Sequence, residues 1–360
     1  MSRFRVDLRS DTVTTPTPEM RRAMSEAEVG DAWYGDDPTV NRLQELAAER
    51  LGKEAALYVP TGTMANQIAL ALHVRTGGHL VACSELSHVA GTEVMTSAAL
   101  SGIAFRTTDP GPRGWIDAEQ ARALLEPDSY YDVEVVDLLS VENTVGGAGG
   151  RVMPLEELQA VRKVADDAGV PVHLDGARLF NAAAAAGLDA AEFADQADTV
   201  MFCVSKGLGA PIGSLLCGPA DLMPEARRQW ILFGGAWRQA GIVAAAGIVA
   251  LERGPERLPE DHERARRLAE GVGERLPGSI DPEQAATNMV LVDTEAAGLG
   301  VLDTVERLAA LGVGVTHTGT RVRMVTHADV SDDGIGAALE AWGVVARAAR
   351  RAGRDLEEEN

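Results

Sequence analysis

The sequence predicts an α/β protein: a mostly parallel seven-stranded sheet flanked by helices, followed by a smaller C-terminal α+β domain. Three observations predict it. Short apolar runs alternate with amphipathic, helix-like segments through the first two thirds of the chain, the pattern of strands joined by helical crossovers. No fixed-period repeat and no long low-complexity linker interrupts that alternation. After about Leu251 the texture changes to Arg/Glu-rich helices with two further strands, which sets a domain boundary. The division expected is an N-terminal segment over 1–20, a large domain over 21–250 and a small domain over 251–360.

The candidate strands are Ala55–Val59, Leu80–Cys83, Ile103–Thr107, Val133–Val141, Val170–Leu174, Thr199–Val204 and Gly213–Cys217, with Asn288–Asp293 and Arg321–Thr326 in the small domain. The run Thr199–Val204 reads as a buried strand. Met64–Val74 and Pro154–Ala168 are among the connecting helices. A chain of 360 residues is long enough for one large core and a second, smaller one.

Composition narrows the function. No stretch is long and uncharged enough to span a bilayer, and the opening residues lack the apolar core of a secretory signal, so a cytoplasmic protein is expected. A formal net charge of −21 opposes binding to nucleic acid or to an anionic membrane. Part of it is the tail Asp355–Asn360, expected to be frayed. Cys83, Cys203 and Cys217 lie in or beside apolar runs without paired spacing, so they read as small core residues rather than a zinc site or disulfides.

Several segments carry polar chemistry at strand ends. Lys206 closes the apolar run Thr199–Val204 and is followed by glycines; such a lysine either snorkels to solvent or, desolvated, serves as a nucleophilic amine. Asp175 ends an apolar strand, where its charge needs a cation: Arg178, or the ring nitrogen of a bound cofactor. Gly62 and Thr63 join a strand to a helix N-terminus, which suits an anion such as phosphate, although a plain capped turn explains them equally well. Neither a Walker loop nor a GxGxxG fingerprint is present. His88 follows a strand ending near Cys83, with Glu93 five residues on; it is either structural or part of a site. The loop around Trp33 and Tyr34 and the glycine-rich turn after Glu142-Asn143-Thr144 are further candidates for lining a ligand.

Nine pieces of sequence together resemble the threonine aldolase family, pyridoxal-phosphate enzymes of the aspartate-aminotransferase-like fold (fold type I) sometimes grouped with β-eliminating lyases. They are Asp7-Leu8-Arg9-Ser10-Asp11-Thr12, Tyr34-Gly35-Asp36-Asp37-Pro38-Thr39, Gly62-Thr63-Met64-Ala65-Asn66, His88 with Glu93, Glu142-Asn143-Thr144, Asp175-Gly176-Ala177-Arg178, Ser205-Lys206-Gly207-Leu208, Arg238-Gln239-Ala240-Gly241 and Arg323-Met324-Val325-Thr326-His327, in the family's order. The resemblance implies that pyridoxal 5'-phosphate is the cofactor and that residues 21–250 bind it. It makes Lys206 the Schiff-base lysine, Asp175 the partner of the pyridine nitrogen, and His88 both the ring-stacking residue and a candidate for the proton step. It assigns the phosphate to Gly62, Thr63 and Ser205, and places Arg178 beside the phenolic oxygen or the substrate carboxylate. Ser10 and Arg323 are implied to bind that carboxylate, arginine offering a planar two-toothed fork. Tyr34 and Arg238 complete the site, Arg238 coming from a neighbouring subunit, and the N-terminal segment packs near it.

The implied activity is retro-aldol cleavage of a β-hydroxy-α-amino acid of the L-threonine or L-allo-threonine type to glycine and an aldehyde, by a homodimer or homotetramer with shared active sites. Related alternatives are β-elimination, transaldol transfer or racemisation on the same cofactor; an alternative of another class is a catalytically silent cofactor-binding protein. The sequence departs from the family pattern at Val145, where histidine is common, at Trp33 and Trp237, and at Ile231, where a basic residue is frequent. These changes toward apolar or bulky residues suggest an altered side-chain half of the pocket, or neutral drift beside it.

Overall fold

The structure is a computed structural model that describes residues 4–74, 79–126 and 135–358, with side chains described as far as residue 348. The chain divides into two compact units, Pro16–Pro255 and Met1–Thr15 with Glu256–Asn360. The first fifteen residues thus group with the C-terminal part, through the parallel pairing of Val6–Asp7 with Val313–Gly314.

The larger unit is built on seven strands: β1 (Ala55–Val59), β2 (Leu80–Ser84), β3 (Ala104–Thr108), β4 (Leu138–Glu142), β5 (Val172–Asp175), β6 (Thr199–Cys203) and β7 (Ser214–Gly218). Their order across the sheet is β1-β7-β6-β5-β4-β2-β3. Only β7 runs against its neighbours, pairing antiparallel with both β6 and β1, so the other six strands point the same way. Most strand ends fall within one or two residues of expectation. The expected strand Val133–Val141 forms only from Leu138; Val135 faces solvent, and residues 127–134 lie outside the described residues. β5 starts at Val172 rather than Val170 because Pro171 has no N–H to give the ladder, although its carbonyl accepts from Leu139.

Two helices position the site. In α1 (Pro38–Leu51) Asp37 is the N-cap, Pro38 occupies the first turn, and Gly52 ends the helix at φ 62°. In α2 (Gly62–His73) Thr61 caps the N-terminus by accepting from Met64 N at 3.1 Å. The inner face of α2 buries Ala65, Ile68 and Ala69 against Leu57, Val59, Met201 and Leu216 of the sheet, with Trp230 closing the cluster. At about 1.5–3 kcal/mol for each large apolar side chain, this burial fixes the helix on the sheet.

The smaller unit has a three-stranded antiparallel sheet of β8 (Met289–Asp293), β9 (Thr316–Thr318) and β10 (Arg321–Val325), in the order β9-β10-β8. β9 was not expected; it is three polar-flanked residues joined to β10 by a two-residue turn with Gly319 at φ 53°, too short for an apolar pattern. The core of this unit gathers Leu268, Val272, Val290, Val322, Ile335 and Trp342. The side chains of the acidic tail lie outside the described residues.

Candidate active site

Because β1, β2, β4, β5 and β6 run parallel, the segments that follow them emerge at one edge of the sheet, where doubly wound sheets bind ligands. Those segments hold Gly62 and Thr63 after β1, His88 after β2, Asn143 and Thr144 after β4, Asp175 to Arg178 at the end of β5, and Ser205 and Lys206 after β6. The topology therefore brings to one edge seven of the sequence-predicted residues: Gly62, Thr63, His88, Asp175, Arg178, Ser205 and Lys206.

The start of α2 is shaped by what it touches. A Cβ on Gly62 would lie 3.0 Å from both Cys203 Sγ and Met201 Cε, so the bare backbone lets the helix sit close on the end of β6. The amides of Gly62 and Thr63 are in the first turn, where no helical carbonyl precedes them.

Behind this edge lies a buried polar cluster. Asp175 is 3% exposed; its Oδ2 accepts from Asn66 Nδ2 at 2.8 Å and its Oδ1 from Ala177 N at 3.0 Å. Glu93 accepts from His88 Nδ1 at 2.7 Å, from Asn66 Nδ2 at 3.2 Å and from Gln67 Nε2 at 2.8 Å. The hydrogen bond to Glu93, helped by the charges of Asp175, Glu93 and Glu142, raises the His88 imidazole above its ordinary value, against the opposing pull of burial. Glu142 is the register partner of Asp175, and burial together with that neighbouring charge pushes it up to about 7. Its two oxygens accept from His88 N at 2.7 Å and Gly146 N at 2.8 Å, tying the glycine-rich turn to the start of α3 (His88–Gly91).

Lys206 is one of three lysines in the chain. Lys163 pairs with Asp167 on an exposed helix face at 3.1 Å. Lys53 is held below its ordinary value by burial, but its Nζ donates to Ala197 O at 2.7 Å, and it precedes β1, at the opposite edge of the sheet. Lys206 alone among them follows a parallel strand at the site edge. A narrow cleft lined by Gly176, Arg178, Cys203, Gly207 and Leu208 runs between the β5 and β6 ends. Ser205 Oγ donates to Gly213 O at 3.1 Å.

Tyr34 and Arg238 belong to a second cluster of the same unit. Tyr34 is 73% exposed on the Gly30–Asp37 loop, while the Arg238 guanidinium stacks 4.9 Å over the Trp33 ring and reaches Asp31 at 3.5 Å. The departures from the family pattern have packing partners here: Val145 is buried in a small cavity with Trp115 and Met153, and Trp237 lies 5.0 Å from Tyr58. Ile231 is 37% exposed. Ser10 and Arg323 lie in the other unit, where Ser10 Oγ caps Thr12 N and Arg323 Nη1 donates to Arg9 O at 3.2 Å.

Sequence reasoning assigned no role to Asn66, Gln67, Glu142 or His173. Asn66 had one available signal: it stands four residues after Gly62 and so projects from the same helix face one turn deeper.

Residues 7–297 match the beta-eliminating lyase family. The low specificity L-threonine aldolase of Escherichia coli is 39% identical over 340 residues, which cover 94% of this chain and 98% of that protein. A probable low-specificity L-threonine aldolase 2 of Arabidopsis thaliana is 39% identical over 332 residues, covering 91% and 93%. Among solved structures, a threonine aldolase of Leishmania major superposes with a TM-score of 0.78 over 95% of this chain and 99% of that one; at 18% identity this speaks to fold. Sustained identity along nearly the whole chain, with the strand-end residues gathered at one edge of a shared fold, shows that the protein belongs to the beta-eliminating lyase family, in its threonine aldolase group.

Proposed function

We propose that the protein is a pyridoxal-phosphate-dependent aldehyde-lyase that cleaves a β-hydroxy-α-amino acid of the L-threonine type to glycine and an aldehyde. The observation that carries this reading is the pairing of Asp175 and Lys206 at the carboxyl ends of the adjacent parallel strands β5 and β6. The residues fit the cofactor on two counts. The unbranched backbone of Gly62, with first-turn amides beside it, suits a phosphate. Asp175, Glu93 and Glu142 gather around one histidine, with burial and the Asp175 charge pushing Glu142 up, and a protonated ring nitrogen against Asp175 would add the positive charge this cluster lacks.

When bound, the cofactor supplies an aldehyde that takes up amines and a cationic ring that accepts electrons from a breaking bond. Lys206 is the amine that would hold the aldehyde, and Asp175 the carboxylate that would keep the ring nitrogen protonated. Gly62, Thr63 and Ser205 would hold the phosphate, His88 would cover the ring, and Arg178 would lie at the ring oxygen or the substrate carboxylate. His88 is also the group placed to move a proton: Nδ1 is engaged by Glu93, which leaves Nε2 for the substrate side. Ser10 and Arg323 would bind the substrate carboxylate, and the bond from Arg323 to the carbonyl of Arg9, the residue before Ser10, supports that pairing. Tyr34 and Arg238 would complete the substrate side.

The reading extends to a homo-oligomer, a dimer or tetramer, supported by the exposed apolar residues Val94, Met95 and Leu100 on α4 (Val94–Ser101), next to the His88 turn. It also extends to a cytoplasmic location, supported by three free buried cysteines. Among the described residues no helix is long and apolar enough to cross a membrane. Incubating the purified protein with threonine, allo-threonine and phenylserine, and assaying both glycine and aldehyde, tests the activity. Equimolar glycine and aldehyde are expected; a keto acid with ammonia, or an altered stereocentre without cleavage, would replace this reading by elimination or racemisation.

A further inference from the structure

Asn66 is 2% exposed, and its side-chain amide hydrogen-bonds to buried groups inside the protein. Its Nδ2 group gives one hydrogen to Asp175 Oδ2 at 2.8 Å and the other to Glu93 Oε1 at 3.2 Å. With both hydrogens committed to carboxylates, Oδ1 can only accept, and its partner is His173 Nε2 at 3.2 Å. His173 is fully buried, and its Nδ1 lies 3.0 Å from the Thr199 hydroxyl and 3.2 Å from the Thr199 carbonyl oxygen. Thr199 Oγ1 in turn lies 2.9 Å from His73 Nε2. The result is a hydrogen-bonded chain through His73, Thr199, His173 and Asn66 that ends on two carboxylates.

Reversing the amide would turn Oδ1 onto Asp175 and Glu93, two acceptor–carboxylate contacts in place of two hydrogen bonds. The two acids therefore hold the amide in one orientation. Asp175 and Glu93 are two buried acids whose mutual repulsion is unfavourable in a poorly solvated interior. One amide lies between them and donates to both.

We propose that Asn66 is a positioning residue that locks Asp175 and the His88–Glu93 pair into one rigid hydrogen-bonded unit, so that the acid meant for the cofactor ring nitrogen and the histidine meant for its face are set by a single side chain. This deepens the proposed function and rests on it. A residue acting through Asp175 differs measurably from one that only supports the fold, because its effect vanishes when Asp175 is already disabled.

The experiment uses the full chain as wild type, Asn66→Leu, Asp175→Asn and the double variant, each stripped of cofactor, with thermal unfolding of the stripped forms as a folding control. Tryptophan fluorescence measures the Kd for added pyridoxal 5'-phosphate, and the pH dependence of the visible band of the bound cofactor is recorded. Losing a hydrogen bond to a buried carboxylate is expected to raise Kd about tenfold in Asn66→Leu and to shift the pH profile of the band. The double variant is expected to stay within about twofold of Asp175→Asn alone. Should the leucine variant fail to fold, Asn66→Ser, whose hydroxyl cannot reach both acids, is expected to show the same loss. Folded variants that bind within about twofold of wild type, or single-variant losses that multiply in the double variant, overturn the proposal while leaving the function standing. A wild-type protein that binds no cofactor overturns both.

Discussion

His173 shows how much a single buried ring can govern. It is 0% exposed, and burial pushes it down to about 4, against the partly compensating charge of Asp175. A histidine whose folded value lies below its unfolded value of about 6.5 leaves the unfolded chain binding the extra proton between those two values. Stability is then fully present above about 6.5 and is lost as pH falls toward 4, by roughly 3 kcal/mol for a displacement of that size. Glu142 has the opposite sign, since its value is raised to about 7, but its proton is needed by neither of its backbone donors. Urea unfolding of the ligand-free protein between pH 4.5 and 6.5 is expected to show a clearly shallower acid loss for His173→Gln than for wild type. His73 and His262, which burial also lowers, add to the remaining slope, while the raised Glu142 and His88 oppose it. Equal slopes for the two proteins would assign the acid sensitivity elsewhere. At this scale the strand-end placement of Asp175 and Lys206 was legible in the sequence, because each closes an apolar run. Asn66 was not, because an amide in a helix is ordinary and its two acids come from positions 27 and 109 residues away.

At the scale of elements, the start of α1 depends on Asp37 more than a capping residue usually commands. Asp37 Oδ1 accepts from Thr39 N at 3.1 Å and Val40 N at 3.0 Å, while Oδ2 accepts from Gly241 N at 2.8 Å. Gly241 opens α5 (Gly241–Arg275), 204 residues from Asp37, so one fully buried carboxylate caps two helices far apart in the chain. A Cβ at Gly241 would lie 2.4 Å from Asp37 Oδ1, which explains why glycine stands there. A single cap is worth about 1 kcal/mol, and burial of the unmatched amides adds to it. Asp37→Ala is therefore expected to cost about 2–4 kcal/mol in chemical denaturation. Asp37→Asn is expected to cost less, since its oxygen keeps the α1 cap and only the Gly241 amide faces a donor. An alanine variant within about 0.5 kcal/mol of wild type would mean that neither cap matters. No local pattern in the sequence reveals the second helix. The same limit hid β9, whose pairing is set by its turn and not by apolar alternation.

For the whole molecule, the decisive fact is directional: six strands of the large sheet share one direction, so the ends of five of them deliver their residues to one edge. That β7 alone is reversed was not legible, since a strand covered on both faces reads the same in either direction. The consequence concerns the lysines. The chain has 33 basic residues but only Lys53, Lys163 and Lys206 carry a primary amine on a side chain. Burial holds the Lys53 amine below its ordinary value, which on local electrostatics would favour it as a nucleophile. Topology chooses Lys206, because Lys53 precedes its strand and lies at the far edge. Borohydride reduction of the cofactor-loaded protein followed by peptide mapping decides between them. The cofactor mass is expected on the peptide containing Lys206, and Lys206→Ala is expected to lower kcat by at least about a thousandfold, the order seen when a catalytic nucleophile is removed. Label on the Lys53 peptide would mean that desolvation, not strand direction, locates the reactive amine, and the site would have to be moved to the opposite edge of the sheet.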